Sequence, residues 1–383
     1  MREVEVRVGG LADVDADVAA LVLSGDPELA GAAARADEEW LSGALSRRIR
    51  EEGFRGGASE TSFFPTSGDR PHVLAVGVGD EEGRLSADER LRRAAGSAIR
   101  AAREERADTV AFLPHAGLAA ETGEAGAAAS SEGLVLGDWA LESFLGEEAR
   151  SERPSPPSRV TLVWPEEAAS EPERVAGAAR RGRVVADAQN AARELVAGPP
   201  NVVTPRHLAR RALEMGDEHG LEVETWGPER LREEGFGALL AVARGSEQEP
   251  RFIVVEHRGD GADVRPFVVA GKGVTFDSGG ISLKPSKGME DMKFDMGGAA
   301  AVLGALRAAA DLDLPHRVVG LIPTAENLPS GTALKPSDVI RGVSGTSIEV
   351  VNTDAEGRLL LSDTLSWACR ELEPRAVVDL ATL

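Results

Sequence analysis

Short β-branched, apolar runs alternate with helical segments along the whole chain, and this alternation limits the fold more than any other feature. Residues 73–78, 109–113 and 161–164 read as strands in the first part, and residues 1–6 alternate in the same way. Further on, residues 221–225, 252–256, 267–270, 318–322, 348–351 and 376–380 read as strands. Between them, residues 85–106, 132–145, 171–196, 297–310 and 359–367 carry helical patterns, and Thr204-Pro205 has the residues of a helix start. Strand–helix alternation of this kind predicts an α/β fold, with helices packed around a mostly parallel sheet. The chain has 383 residues, too many for one ordinary core, so two domains are expected. The Pro- and Ser-rich residues 151–158 and the strand after them place the division at 1–168 and 169–383.

The charge balance is −21, which argues against nucleic acid and against an anionic membrane surface as partners. No apolar run is long enough for a transmembrane helix, and the N-terminal residues lack an apolar signal core. Cys369 is the single cysteine, which rules out an intrachain disulfide and fits a cytoplasmic setting. It lies in a helical pattern and is expected to be buried.

Chemistry concentrates in two stretches of the second half. The first is Asn352-Thr353-Asp354-Ala355-Glu356-Gly357-Arg358-Leu359, between the expected buried strand 348–351 and a helix. In α/β folds ligands bind at the carboxyl ends of strands. An extended backbone would point Asp354 and Glu356 the same way, as two grips on one ion. The second is Gly271-Lys272-Gly273-Val274-Thr275-Phe276-Asp277-Ser278-Gly279-Gly280, after the strand 267–270. It matches neither the phosphate loop nor the dinucleotide fingerprint. Lys284, Met292 and Asp295 follow it.

Asp277, Asp295, Asp354 and Glu356 thus fall at strand-to-loop junctions or a helix start, and four converging carboxylates repel one another unless cations intervene. Two divalent ions would cancel the charge. The oxygen-rich, histidine-free set suits a paired-metal hydrolytic site better than a structural zinc. No His-Glu-x-x-His motif is present. His72, His115, His207, His219, His257 and His316 match no ligand pattern.

In these segments the chain resembles the leucyl aminopeptidase family, the two-metal cytosol aminopeptidases. The octapeptide 352–359 looks like the family signature, and residues 272–280 and 292–300 are similar to its other segments, in the same order. The resemblance is strong over residues 190–383. It implies a macro-like α/β domain first, then an α/β/α zinc-peptidase-like catalytic domain with a mixed central sheet. It implies Lys272, Asp277, Asp295, Asp354 and Glu356 as metal ligands, with Asp277 and Glu356 shared between two ions. The ions would be Zn²⁺ or Mn²⁺, with Mg²⁺ or Co²⁺ as other choices. Lys284 would bind the carbonyl oxygen, Arg358 would hold a bicarbonate that acts as general base, and Met292 would line the pocket for the first side chain. Substrates would be peptides with a free N-terminus, leucine and other apolar residues preferred, and the assembly a homo-hexamer. Family members run on past Leu383, so the catalytic domain is expected to be incomplete at its C-terminus. The alternative expectation is a catalytically impaired, truncated homologue acting as a binding or regulatory protein.

Overall fold

The structure is a computed structural model and describes residues 4–23, 29, 31–51, 53–79, 85–169, 171–260 and 265–383. Residues 1–3 of the expected first strand lie outside that set. The chain divides into two units, Met1–Asp187 and Ala188–Leu383.

The first unit is built on a six-stranded sheet. Its elements are β1 (Val4–Gly9), β2 (Val18–Leu23), α1 (Gly31–Glu39), α2 (Ala44–Glu51), β3 (Thr61–Phe64), β4 (His72–Gly77), α3 (Ala87–Glu104), β5 (Thr109–Leu113), α4 (Ala116–Thr122), α5 (Glu124–Gly137), α6 (Glu147–Glu152), β6 (Arg159–Pro165) and α7 (Pro172–Ala197). The strand order is β1-β6-β5-β2-β4-β3, with only β3 antiparallel to its neighbour. Period-two alternation feeds a core on each face. Val18, Ala20 and Val22 join the core with α3 and α5, whereas Ala19, Leu21 and Leu23 join the one with α1 and α2. α7 crosses from this unit into the next, and the expected division at 168/169 falls just before it.

Three expectations need correction in position. The helix expected over 132–145 is α5, which starts at Glu124 and ends at Gly137. Its first half is small residues buried against α3, and small residues give no apolar stripe for periodicity to detect. The Pro- and Ser-rich residues 151–158 begin in the last turn of α6 and lead into β6 within the first unit. Cys369 is exposed, not buried: Trp367 and Ala368 take the inner face of their helix and turn it outward.

The second unit is an α/β/α sandwich. It contains α8 (Pro205–His219), β7 (Glu222–Trp226), α9 (Pro228–Glu233), α10 (Gly237–Ala243), β8 (Arg251–His257), β9 (Phe267–Gly271), β10 (Gly273–Asp277), α11 (Gly297–Asp311), β11 (Val318–Asn327), β12 (Val339–Arg341), β13 (Ser347–Glu349), α12 (Glu356–Glu371) and β14 (Ala376–Leu380). Thr204 caps α8 by accepting from the backbone N–H of His207 at 3.3 Å. The central sheet runs β14-β9-β11-β8-β7, and β10 continues along the same edge of β11 as β9. β9, β10, β11 and β14 are parallel, while β8 and β7 bring antiparallel pairing. Adjacent residues again serve opposite faces: Phe252 and Leu321 pack with α10 and α12, Ile253 and Ile322 with α8 and α11. Trp226, Phe236, Phe252 and Trp367 anchor the first of these layers, with ring centroids 4.7–5.9 Å apart.

The expected buried strand at 348–351 is corrected. Only Ser347–Glu349 is strand, paired with β12 in a two-stranded ribbon outside the central sheet, and Val351 is 80% exposed. A short apolar run has the same local pattern in either setting, so periodicity alone does not separate them.

Candidate metal centre

β11 is the longest strand of the second unit, and β9 and β10 pair with it in succession. Lys272 is the one residue between them. Its backbone is held on two sides: its N–H donates to Leu380 O at 3.0 Å, and its carbonyl accepts from Ala299 N–H at 2.9 Å. The side chain, 3% exposed, is thereby aimed inward. Its Nζ donates to Thr382 O at 2.6 Å and lies 2.9 Å from Asp295 Oδ2 and 2.8 Å from Glu356 Oε1. Asp277 ends β10, Asp295 precedes α11 after the short 3₁₀ helix Met289–Phe294, and Glu356 is the first residue of α12.

Lys284 forms the second half of the cluster. Its Nζ sits 2.9 Å from Asp277 Oδ2 and also pairs with Asp354 Oδ1. The loop that carries it is tight. Gly279 and Gly280 have φ of +85° and +65°; a Cβ at the first would meet Asp354 Oδ1 at 2.8 Å. Thr353 Oγ1 donates to Gly279 O at 2.7 Å and accepts from Ser282 N–H at 2.8 Å, tying the two signature loops together.

Four carboxylates and two ammonium groups therefore interleave in one pocket. Asp277, Asp354 and Glu356 each offer an oxygen, and these three atoms lie within 4.8 Å of one another. The expectation of an extended 354–356 segment is overturned: Thr353 and Asp354 form a turn and Glu356 opens a helix. The carboxylates converge because the turn reverses the chain, not because of strand alternation. No histidine joins this group among the described residues.

Burial and charge act against each other here. Burial would lower the Lys272 amine, but Glu356 and Asp295 outweigh it and hold the amine above its ordinary value. Lys284 is likewise raised, its desolvation outweighed by Asp354 and Asp277. Burial pushes Asp295 up against the pull of Lys272. Burial and then the Asp277 charge push Glu356 up, again against Lys272. The lysines are raised by the carboxylates around them, whereas the two acids are raised first by their own burial.

The donor set fits divalent cations. Asp295 Oδ2 and Asp354 Oδ1 are buried and accept no well-aligned hydrogen bond, each facing an ammonium group where positive charge is demanded. Carboxylate oxygens with one nitrogen suit Mg²⁺, Mn²⁺ or Zn²⁺. Met292 and Arg358 make none of the ion pairs of the cluster. Met292 is half-buried in the Met289–Phe294 turn, and Arg358 is exposed on the first turn of α12 with no ion pair to Asp354 or Glu356. Sequence reasoning missed Asn327, Thr353 and Thr382; the last donates to Asp295 Oδ1 at 2.7 Å.

An α/β/α domain with a carboxylate–lysine pocket at its strand ends is the class defined so far. Residues 190–383 match the model of the cytosol aminopeptidase family catalytic domain, and residues 20–147 that of its N-terminal domain. The chain is 42% identical over 348 residues to a probable cytosol aminopeptidase of Geobacter sulfurreducens, covering 90% of this chain and 68% of that one. It is 43% identical over 350 residues to one of Roseiflexus castenholzii, covering 91% and 70%. Among solved structures, the bottromycin maturation enzyme BotP in complex with Mn matches with a TM-score of 0.79 and 35% identity, over 96% of this chain and 73% of that one. The chain belongs to the cytosol aminopeptidase family.

Proposed function

We propose that this protein is a metal-dependent aminopeptidase that removes the N-terminal residue of peptides, leucine and other apolar residues preferred. The reading is carried by one observation, the convergence of Asp277, Asp354 and Glu356 within 4.8 Å beside Lys272 and Asp295. Those five residues would hold two divalent ions, Asp277 and Glu356 being shared. Mn²⁺ or Zn²⁺ is the first choice, and the Mn complex of the BotP structure supports divalent metal use. Bound there, the ions would supply Lewis acidity and acidify water.

The chain's own residues then divide the work. Lys284 keeps its proton, because Asp354 and Asp277 outweigh its burial, so it can donate to a peptide carbonyl oxygen as negative charge develops there. To do so it gives up one carboxylate contact, and its partial exposure leaves room for that swing. Arg358, exposed and free of Asp354 and Glu356, would hold bicarbonate as the base that carries a proton from water to the leaving amine. Met292 would contact the first side chain of the substrate. Hexameric assembly and a cytosolic setting belong to the same reading, and sedimentation and cell fractionation test them.

The test is hydrolysis of leucine amide with added Mn²⁺ or Zn²⁺. Turnover should vanish with chelator and in Asp354→Asn, and kcat should fall roughly 10²–10³-fold in Lys284→Ala. A folded, metal-loaded chain that turns over no N-terminal amide would defeat the proposal and favour a binding or regulatory protein on the same scaffold.

A further inference from the structure

Asn327 is 3% exposed at the end of β11, where it pairs in register with Asp277 of β10. Its Nδ2 faces three acceptors: Asp277 Oδ1 at 2.8 Å, Thr353 O at 3.0 Å and Glu356 Oε2 at 3.5 Å. The reversed amide would set an oxygen against three oxygens, so the NH₂ group must lie on this side. The residue is itself fixed. Its carbonyl accepts from Ser278 N–H at 3.0 Å and Ser278 Oγ at 2.8 Å, and its Oδ1 would meet a Cβ on Gly280 at 2.7 Å.

The consequence is a division of labour within each carboxylate. Asp277 turns Oδ1 to the amide and Oδ2 to Lys284; Glu356 turns Oε2 to the amide and Oε1 to Lys272. One neutral nitrogen thus orients two acids from different segments while the opposite oxygen of each is left to a cation. Neutrality matters. A cationic side chain here would compete with bound ions, and a carboxylate would repel both neighbours.

We propose that Asn327 is a positioning residue of the metal centre: its carboxamide sets the orientation and separation of Asp277 and Glu356 and thereby the affinity for divalent cations. This rests on the reading of the cluster as a metal site. The test is Mn²⁺ titration calorimetry on the full metal-free chain and on Asn327→Leu and Asn327→Ser, with the melting temperature of each metal-free protein measured alongside. Leu keeps the volume and removes the donors; Ser keeps a hydroxyl at the position but is too short to reach both carboxylates. Both variants should bind Mn²⁺ roughly 10–100-fold more weakly, and at saturating Mn²⁺ kcat should fall more than KM rises. Variants that melt earlier yet bind Mn²⁺ as tightly as the unaltered chain overturn the proposal and leave Asn327 a structural pin. Failure of the unaltered chain to bind Mn²⁺ overturns the metal-site reading itself, and this inference with it.

Discussion

Lys272 is the residue on which the chemistry of the pocket turns. It lies against Glu356 and Asp295, which hold its amine above the ordinary lysine value despite burial. In the proposed metal site Lys272 would have to bind as the neutral amine, so loading would release that proton. Asp295 and Glu356, pushed up by burial, add to the proton count as the pH falls. The sign is therefore fixed: protons compete with ions, and apparent Mn²⁺ affinity should rise with pH. Calorimetry in buffers of different ionisation enthalpy should show about one proton released per chain at neutral pH. Zero release would remove Lys272 from the ligand set. The pocket's charged members were legible because Lys, Asp and Glu in glycine-rich junctions have few other reasons to be there. Asn327 and Thr382 were not, since a neutral side chain reveals its role only through the partners that folding brings to it.

Helix α12 shows what patterning can and cannot deliver. Its apolar stripe was readable from Leu359 to Trp367, but its start was not. Glu356 opens the helix after a turn, and no local rule distinguished that turn from an extended segment. Two turns further along, Asp363 reaches out of the helix altogether. Its carboxylate accepts from the backbone N–H groups of Ala238 and Leu239 at the start of α10, at 2.9 and 3.0 Å, and from Val343 at 2.9 Å. Asp363→Ala would strand three backbone donors, at about 1–3 kcal/mol for each one left buried without a partner. Urea unfolding should report a loss of about 3 kcal/mol or more. Trp367→Ala, on the same helix, removes a member of the aromatic layer and should cost about 3–5 kcal/mol. Cys369→Ser, on the exposed face, should stay within about 0.5 kcal/mol of the unaltered chain.

At the scale of the molecule, each unit has its own sheet with a core on both faces, and every residue of the candidate metal centre belongs to the second. Ligand binding stabilises only what it touches, by about 2.7 kcal/mol at a hundredfold excess over Kd. In differential scanning calorimetry, Mn²⁺ should raise the melting of the second unit and leave that of the first in place. A shift of both together would show that the units unfold as one. The α/β class of each unit was readable from alternating runs, because strands buried on both faces leave long apolar signatures. The two-stranded ribbon β12–β13 was not, since its sequence resembles a sheet strand and only its surroundings differ. The paired lysines carry a consequence for the acids around them. Lys272 lies between Asp295 and Glu356, and Lys284 between Asp277 and Asp354, so each ammonium separates two like charges. Lys272→Met should leave two buried carboxylates facing one another and lower the melting temperature more than a change at any exposed lysine.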